Sequence, residues 1–445
     1  MADERRPTVA LQTVGCKLNQ YETEGIAERF GERGFDVVPF DGTADVYVVN
    51  TCTVTGRSDY RSRQMLRRAS RSGPNALIVA TGCYAQRDPS ALAAMPEVHA
   101  VVGNREKPRL ADRVAELMDR PDGGRSGAAT VVAPPLDGCP FEPYDITRFR
   151  GHTRAFIKIQ DGCDRRCAYC AVPDARGPSR SRDFGCVVEQ AALLVAGGYR
   201  EVVLTGVHIG EYVSADGARL PELLRAVAGI PGLGRVRLGS LESRHLTTRV
   251  ADLVAGNDGV ANHLHVPLQS GSDRILATMG RDTTAAEYQE AVRRVTDRDP
   301  SCGLGADVMV GFPGETDDDF RRTVDLIESL PFTYLHVFAY SPRPGTRADA
   351  LGEPVPPGEK RRRSRTLRAL GRRQSLEFRR RLLGSRLEML VERSEAGGVV
   401  SGLTANYVRV RADGPADLKN RFVTVEIDRV ETESTHGRLL EGTAR

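Results

Sequence analysis

Residues 162–170 read GCDRRCAYC, so Cys163, Cys167 and Cys170 stand in a C-x3-C-x2-C spacing with Tyr169 beside the last thiol. Three thiolates crowded this closely can hold iron. A [4Fe-4S] cluster on four cysteines has every iron ligated, whereas three cysteines leave one iron open for a small molecule to chelate. Zinc is the alternative occupant, but it wants a fourth ligand, usually from a second closely spaced Cys or His pair. No second cysteine pair of that kind occurs in the chain.

The spacing resembles the signature of the radical S-adenosylmethionine (SAM) enzymes. That resemblance implies that the open iron takes the amino and carboxylate groups of SAM and that an electron from the cluster cleaves the sulfonium. The surrounding pattern agrees with a catalytic barrel. From Phe156 onward AFIKIQDG, EVVLTG, RVRLGSLE, NHLHVPLQ, LGADVMVGFPGE and YLHVFAYS read as six strands, with helical segments between most of them. Parallel strands with crossover helices predict a partial (β/α)6 TIM-like barrel, whose site lies at the carboxyl strand ends. The cysteine loop follows the first of these strands. Polar groups at the other ends are candidate SAM contacts: Thr205, Gly206, Ser240, Glu242, Gln269, Asp307 and Gly311 in the GFPGE turn. His208 and His265 could serve as catalytic bases, but a lone His beside a strand is more often a satisfied structural residue; Cys186 and Cys302 read as packing residues.

Upstream, TVALQTV, DVYVVNT and ALIVATG alternate with helical stretches, which is βαβ periodicity and predicts an open parallel sheet with helices on both faces. Each strand ends in a cysteine: Cys16, Cys52 and Cys83. In open α/β sheets ligands bind beyond the carboxyl ends of strands, so three thiolates on neighbouring ends could converge on one cluster. Three ordinary buried thiols are the plainer alternative. A Gly- and Pro-rich stretch at 119–148 reads as a linker, and Cys139 within it as incidental.

The net charge of +4 hides an asymmetry: Lys360 to Arg381 alone carries a formal +10, leaving −6 for the rest. A second run, Arg57 to Arg71, holds six Arg against Asp59. Either run could be a solvated helix face. Together, followed by five short strands in residues 386–445 that suggest a small antiparallel, OB-like β-barrel, they point to a polyanionic partner. Arg361, Arg362, Arg363, Arg365 and Arg368 are the candidate phosphate contacts. No apolar run approaches the roughly 18 residues of a membrane span, and MADERRPTVA lacks a secretory core. The expected location is the cytoplasm, where nine cysteines are more readily metal-binding than disulfide-paired.

GCKLNQYE, NTCTVT, TGCYAQ, GCDRRCAYC, HVPLQSGSD, DVMVGFPGE and YSPRPGT, spread from end to end, resemble the signatures of the methylthiotransferases. The resemblance implies two [4Fe-4S] clusters, one on Cys163, Cys167 and Cys170 that binds SAM, and an auxiliary one on Cys16, Cys52 and Cys83. No catalytic residue is assigned beyond these ligands. SAM would serve twice, as methyl source for a sulfide and as radical source for a C–H bond, with an electron donor such as flavodoxin or ferredoxin and a sulfur donor as partners. The expected domains are 7–118 for the auxiliary cluster, a linker at 119–148, the radical SAM core at 149–378 and an RNA-binding TRAM domain at 379–445. GCKLNQYE and ARGPSRSR (175–182) are similar to the branch that adds methylthio to carbon 2 of threonylcarbamoyladenosine at tRNA position 37, beside the anticodon. Where relatives carry a basic, Tyr-containing stretch after the HVPLQSGSD helix, this chain has MGRDTT, with Gly280, Asp282 and Thr283. Isopentenyladenosine tRNA and a ribosomal protein are the alternative substrates. A non-catalytic iron-sulfur RNA-binding protein is the alternative of another class.

Overall fold

In the computed structural model, residues 5–125, 127–134, 141, 144–256, 259–352, 354–440 and 442 are described. Internal contacts divide the chain into two compact units, one of residues 1–148, 160–182 and 341–346, the other of 149–159, 183–340 and 347–445.

The first unit is built on a six-stranded sheet, β1 (Thr8–Thr13), β2 (Asp36–Val38), β3 (Val46–Thr51), β4 (Leu77–Gly82), β5 (Ala100–Val102) and β6 (Ala129–Val131), in spatial order β2-β1-β3-β4-β5-β6 and parallel throughout. The sequence pattern located β1, β3 and β4. The other strands are three residues each, too short to show a period, and β6 forms inside the stretch read as linker. β3 and β4 are buried at every position, as strands covered on both faces are. Their core includes Val49, Leu66, Ile78, Ala80, Leu92 and Val101.

The chain continues with β7 (Arg154–Lys158), the two-residue strands β8 (Gln160–Asp161) and β9 (Arg180–Ser181), which pair with each other in the first unit, then β10 (Glu201–Thr205), β11 (Arg235–Leu238), β12 (His263–His265), β13 (Gly303–Val310) and β14 (Tyr334–Ala339). In the second unit β7, β10 and β11 form one parallel sheet and β12, β13 and β14 another. Parallel bridges at Val236–Val260 and Ser240–His265 join them into a six-stranded array in chain order. That is the expected partial (β/α)6 barrel.

A 25-residue helix, Pro357–Arg381, leads to β15 (Arg386–Glu395), β16 (Val399–Thr404), β17 (Arg409–Asp413), β18 (Phe422–Val430) and β19 (Thr435–Leu439). These close into a barrel in order β15-β16-β17-β19-β18. Four pairings are antiparallel and one, β17 with β19 at Arg411–His436, is parallel. A ring of five strands cannot alternate direction all the way round, so the expected antiparallel barrel takes one parallel seam. Phe378 from the helix packs into its core with Met389, Val391, Val400 and Val425. Among the described residues no helix is long and apolar enough to cross a membrane.

Within the second unit the two barrels are joined at a buried charge cluster. Glu201 accepts from Arg235 and Arg237 at 2.8 and 2.9 Å, and those guanidiniums also donate to the carbonyls of Leu403, Thr404 and Ala405. Burial by itself would raise the Glu201 carboxyl, but Arg235, Arg237 and Arg154 outweigh it and hold it down at about 2. Removing one member of such a set leaves uncompensated charge in the interior, which typically costs about 3–5 kcal/mol. Glu201→Ala should therefore lower unfolding stability by about that much at neutral pH, measured by denaturant titration. Because the folded carboxyl titrates below its ordinary 4.5, the contribution is present above that pH and disappears as pH falls toward 2. A penalty under 1 kcal/mol at pH 7 would contradict the assignment.

Candidate metal centres

Parallel pairing puts the carboxyl ends of β1, β3 and β4 along one edge of the sheet, and the three upstream cysteines follow those ends: Cys16 after Thr13, Cys52 after Thr51 and Cys83 after Gly82. Asn19 fastens them. Its Nδ2 donates to the carbonyls of Val14 and Thr51 at 2.8 and 3.0 Å, while its own carbonyl accepts from Asn50 Nδ2 at 3.0 Å. Thr51 Oγ1 donates to Thr81 O at 2.5 Å and accepts from Ala85 N at 3.2 Å, tying β3 to the turn of Cys83. Gly15 and Gly82 take φ of +112° and +102°, and a Cβ there would lie 2.8 Å from Cys52 Sγ and 2.4 Å from Thr51 O respectively. Only glycine serves both the dihedral and the close approach.

The three thiols feel one another. Burial raises Cys52 to about 11, with Cys16 and Cys83 adding to the rise, while Cys16 stands exposed with Cys83 and Glu22 disfavouring its thiolate and Arg176 favouring it. Among the described residues neither cysteine trio has all three sulfurs within 4.8 Å of one another, so each is spread wider than ligands gathered around one small ion. A cubane carries its thiolates on separate irons, and its positive irons favour the thiolate form that the metal-free surroundings of Cys52 disfavour. The residues fit a cluster better than zinc.

The second trio sits on a loop held shut at its base. Gly162 has φ +72° and a Cβ on it would lie 1.9 Å from Pro178 O; Cys163 N donates to Gly177 O at 3.0 Å. A turn with Cys170 N donating to Cys167 O at 3.0 Å gathers the last two thiols. Burial, then Cys167 and Cys163, pushes the Cys170 thiol up to about 12.

Between the two loops in the first unit lies a buried ionic network. Arg176 donates to Glu22 at 2.8 and 3.2 Å, to Asp161 at 2.9 Å and to Asn19 Oδ1 at 2.9 Å, and Lys107 Nζ lies 2.5 Å from the same Glu22. Burial by itself would push the Arg176 guanidinium down, but Asp161, the Cys83 thiol and Glu22 hold it well above its ordinary value. On the Cys52 side, buried Arg343 donates to Asp59 and to Thr53 O. Sequence reasoning quoted the motifs that contain Asn19, Glu22, Arg176 and Arg343 without giving these residues a role. For Asn19, Glu22 and Arg176 the signal was a charge or amide close to a cysteine motif; for Arg343 it was only membership of YSPRPGT. Lys107 carried no signal.

In the second unit Thr205 is buried at the end of β10 with Gly206 after it. Gln269 is buried at φ +66°, an uncommon value for a side-chain-bearing residue, and its Oε1 accepts no hydrogen bond among the described residues. Gly311 takes φ +72° and its N–H donates to Glu315 at 2.6 Å. Three other candidates already have protein partners. Ser240 bonds His265 Nδ1 at 2.8 Å; Asp307 lies 3.3 Å from both His265 and His336; Glu242 accepts from Arg281 at 2.8 Å. Arg281 and Asp282 belong to MGRDTT, and Asp282 accepts from Arg244 at 2.5 Å, so this departure from relatives builds its own ion pairs. His265 is buried, with Ser240 at one ring nitrogen and Asp307 3.3 Å from the other.

The basic helix corrects one expectation. Arg363 is buried and donates to Glu315, Glu359 and Asp317 at 2.6, 2.8 and 2.9 Å, so its charge is matched internally rather than offered to phosphate. Arg362 is exposed but paired with Glu359 and Asp317, and exposed Arg368 donates to Val337 O at 3.0 Å. Arg361 and Arg365 are exposed. Cys302 is buried as expected, whereas Cys186 is exposed in the first turn of its helix and is not a packing residue. Cys139 lies outside the described residues.

Residues 8–103 match the model of uncharacterized protein family UPF0004 and residues 157–327 that of the radical SAM superfamily. The threonylcarbamoyladenosine tRNA methylthiotransferase MtaB of Aquifex aeolicus is 37% identical, over 91% of this chain and 97% of its own length. MtaB of Bacillus subtilis is also 37% identical, over 94% and 93%. The tRNA-2-methylthio-N(6)-dimethylallyladenosine synthase of an Enterobacter species is 32% identical over 97% and 92%. Among solved structures, the radical SAM methyltransferase TsrM of Kitasatospora setae superposes with a TM-score of 0.54 at 18% identity, covering 89% of this chain and 81% of that one, a likeness of fold.

Proposed function

The chain belongs to the radical SAM methylthiotransferase family, of the MtaB type, and from that premise we propose that it methylthiolates carbon 2 of threonylcarbamoyladenosine at position 37 of tRNA, using two [4Fe-4S] clusters and two molecules of SAM. As a member of this family it is a transferase whose cofactors are [4Fe-4S] iron-sulfur and SAM. In our reading Cys163, Cys167 and Cys170 hold the SAM cluster and Cys16, Cys52 and Cys83 the auxiliary one. When bound, these groups supply reductive cleavage of SAM and the sulfur to be transferred.

The chain's own residues prepare both sites. Asn19, Thr51 and the two glycines Gly15 and Gly82 hold three thiols at adjacent strand ends. Gly162 and Gly177 close the other cysteine loop. Thr205, Gly206, Ser240, Gln269 and Gly311 are the proposed SAM contacts, and the unpartnered Oε1 of buried Gln269 is the group best suited to accept from a ligand. Glu242 and Asp307 complete the proposed set, each already anchored by a protein partner. The domain reading follows: 7–118 for the auxiliary cluster, 119–148 as connection, 149–378 as SAM core and 379–445 as a TRAM-type RNA-binding barrel. An electron donor such as flavodoxin or ferredoxin, a sulfur donor and a cytoplasmic location complete it.

The observation that carries this reading is the joining, by buried hydrogen bonds, of the two stretches that marked the branch: Asn19 and Glu22 of GCKLNQYE grip Arg176 of ARGPSRSR. The tRNA target is supported by the names of the MtaB relatives and by the basic helix. An anticodon loop presents unstacked bases that a protein can reach, and an aromatic C–H has no acidic proton for a base to remove, which suits radical chemistry.

After anaerobic reconstitution the chain should hold about eight irons, four per cluster. Replacing Cys163, Cys167 and Cys170 with Ala should abolish 5′-deoxyadenosine formation. Replacing Cys16, Cys52 and Cys83 should spare it and abolish methylthiolated nucleoside. Product at the normal rate from the second variant contradicts the auxiliary-cluster assignment.

Replacing Arg361 and Arg365 with Ala should reduce the slope of log affinity for tRNA against log salt by about one to two units, the loss of about two phosphate contacts. An unchanged slope returns this face to ordinary solvated surface.

A further inference from the structure

Two short bridges in the first unit connect the loops that carry the cysteine trios. The first is Arg176. One nitrogen of its guanidinium donates to Glu22 and Asp161, the other to Glu22 and Asn19. Asn19 and Glu22 lie three and six residues after Cys16, on the helix Lys17–Glu32 that Cys16 caps. Asp161 lies two residues before Cys163, and its Oδ1 also accepts from Gly162 N at 2.9 Å, inside the base of the C-x3-C-x2-C loop. Arg176, Glu22, Asn19 and Asp161 are all at least nine-tenths buried.

The second bridge is Asn104. Its Nδ2 donates to Ala175 O at 2.7 Å and lies 3.9 Å from Cys83 Sγ, while its backbone N–H donates to Gln86 Oε1 at 2.9 Å. The segment that closes the second cysteine loop, the helix Val172–Arg176, is thereby attached at successive residues: Ala175 to Asn104, which follows β5 and itself reaches Gln86 and Cys83 beyond β4, and Arg176 to the helix after β1.

A solvated loop would need none of this. Burying a guanidinium and two carboxylates is costly unless geometry and hydrogen bonding are complete, and a satisfied network of this kind rigidifies the groups it joins. Arginine suits the task because its planar fork fixes direction as well as charge. We infer that Arg176, assisted by Asn104, is a positioning residue that sets the two metal centres in fixed relation, so that sulfur held at one can reach the substrate radical generated through the other. The inference rests on the two-cluster reading above and adds the residues that register the two centres.

The test uses the full-length, anaerobically reconstituted enzyme. Arg176→Met keeps the volume and removes the fork. It should keep about eight irons and form 5′-deoxyadenosine within about twofold of the parent, yet lose about tenfold or more of the methylthiolated product. In the reduced enzyme, paramagnetic resonance should show weakened magnetic interaction between the two clusters. A residue that merely stabilises the fold would lower both activities together and leave that interaction unchanged in the molecules that remain folded. Arg176→Lys, which keeps the charge without the fork, should resemble Arg176→Met.

Unaltered cluster interaction with unaltered product in Arg176→Met, or full rescue by Arg176→Lys, overturns the inference. If Arg176→Met fails to load iron, Asn104→Ala, which deletes one hydrogen bond to the same segment, decides: a loss of product of about threefold with 5′-deoxyadenosine unchanged supports the role, and equal loss of both contradicts it. A Cys16/Cys52/Cys83→Ala variant that retains all its iron would instead overturn the two-cluster reading beneath it.

Discussion

Parallel pairing of β1, β3 and β4 is the constraint from which the rest of the first unit follows. Parallel neighbours end on the same edge, so residues far apart in sequence at equivalent strand ends become neighbours in space. Cys16, Cys52 and Cys83 gain their significance in this way. An antiparallel arrangement of the same segments would send alternate cysteines to opposite edges. Once the ends are together, the local details serve to hold the thiols apart from the backbone yet near one another. Asn19 ties two strand ends, Thr51 ties the next, and glycines stand where any side chain would strike Cys52 or Thr51.

The same economy appears in the second unit with charge in place of sulfur. Glu201, at the start of β10, draws Arg235 and Arg237 from β11, and those arginines reach carbonyls of the small closed barrel. The basic helix continues the connection: Phe378 enters the barrel core and Arg379 donates to the carbonyls of Glu431, Thr432 and Ser434. A segment that looks in sequence like one uniform cationic face is therefore divided. Arg363 and Arg379 are bonded within the fold, whereas Arg361 and Arg365 are exposed.

Most of the architecture was legible in the sequence because long β and helix periods announce themselves. The six barrel strands, the five C-terminal strands and the three cysteine-bearing strands were all visible. β2, β5 and β6 were not, since three residues carry no period. The cysteines proposed as ligands were singled out by spacing and placement. What held them was not, because Glu22 with Lys107 and Arg176, or Asp59 with Arg343, are pairs 85, 154 and 284 residues apart. Long-range charge pairing leaves no periodic trace. The surroundings of the strand-end polar groups were hidden for a related reason: sequence shows that Glu242 and Asp307 are present, but not that Arg281, His265 and His336 lie against them.

The most direct test of the central claim is mass spectrometry of tRNA nucleosides from cells lacking this protein and from the same cells complemented with it. The expected result is that threonylcarbamoyladenosine persists without its 2-methylthio derivative in the deletion, that the derivative returns on complementation, and that methylthiolated isopentenyladenosine is unaffected throughout. Loss of the isopentenyl derivative with the threonylcarbamoyl derivative intact would contradict the proposed substrate.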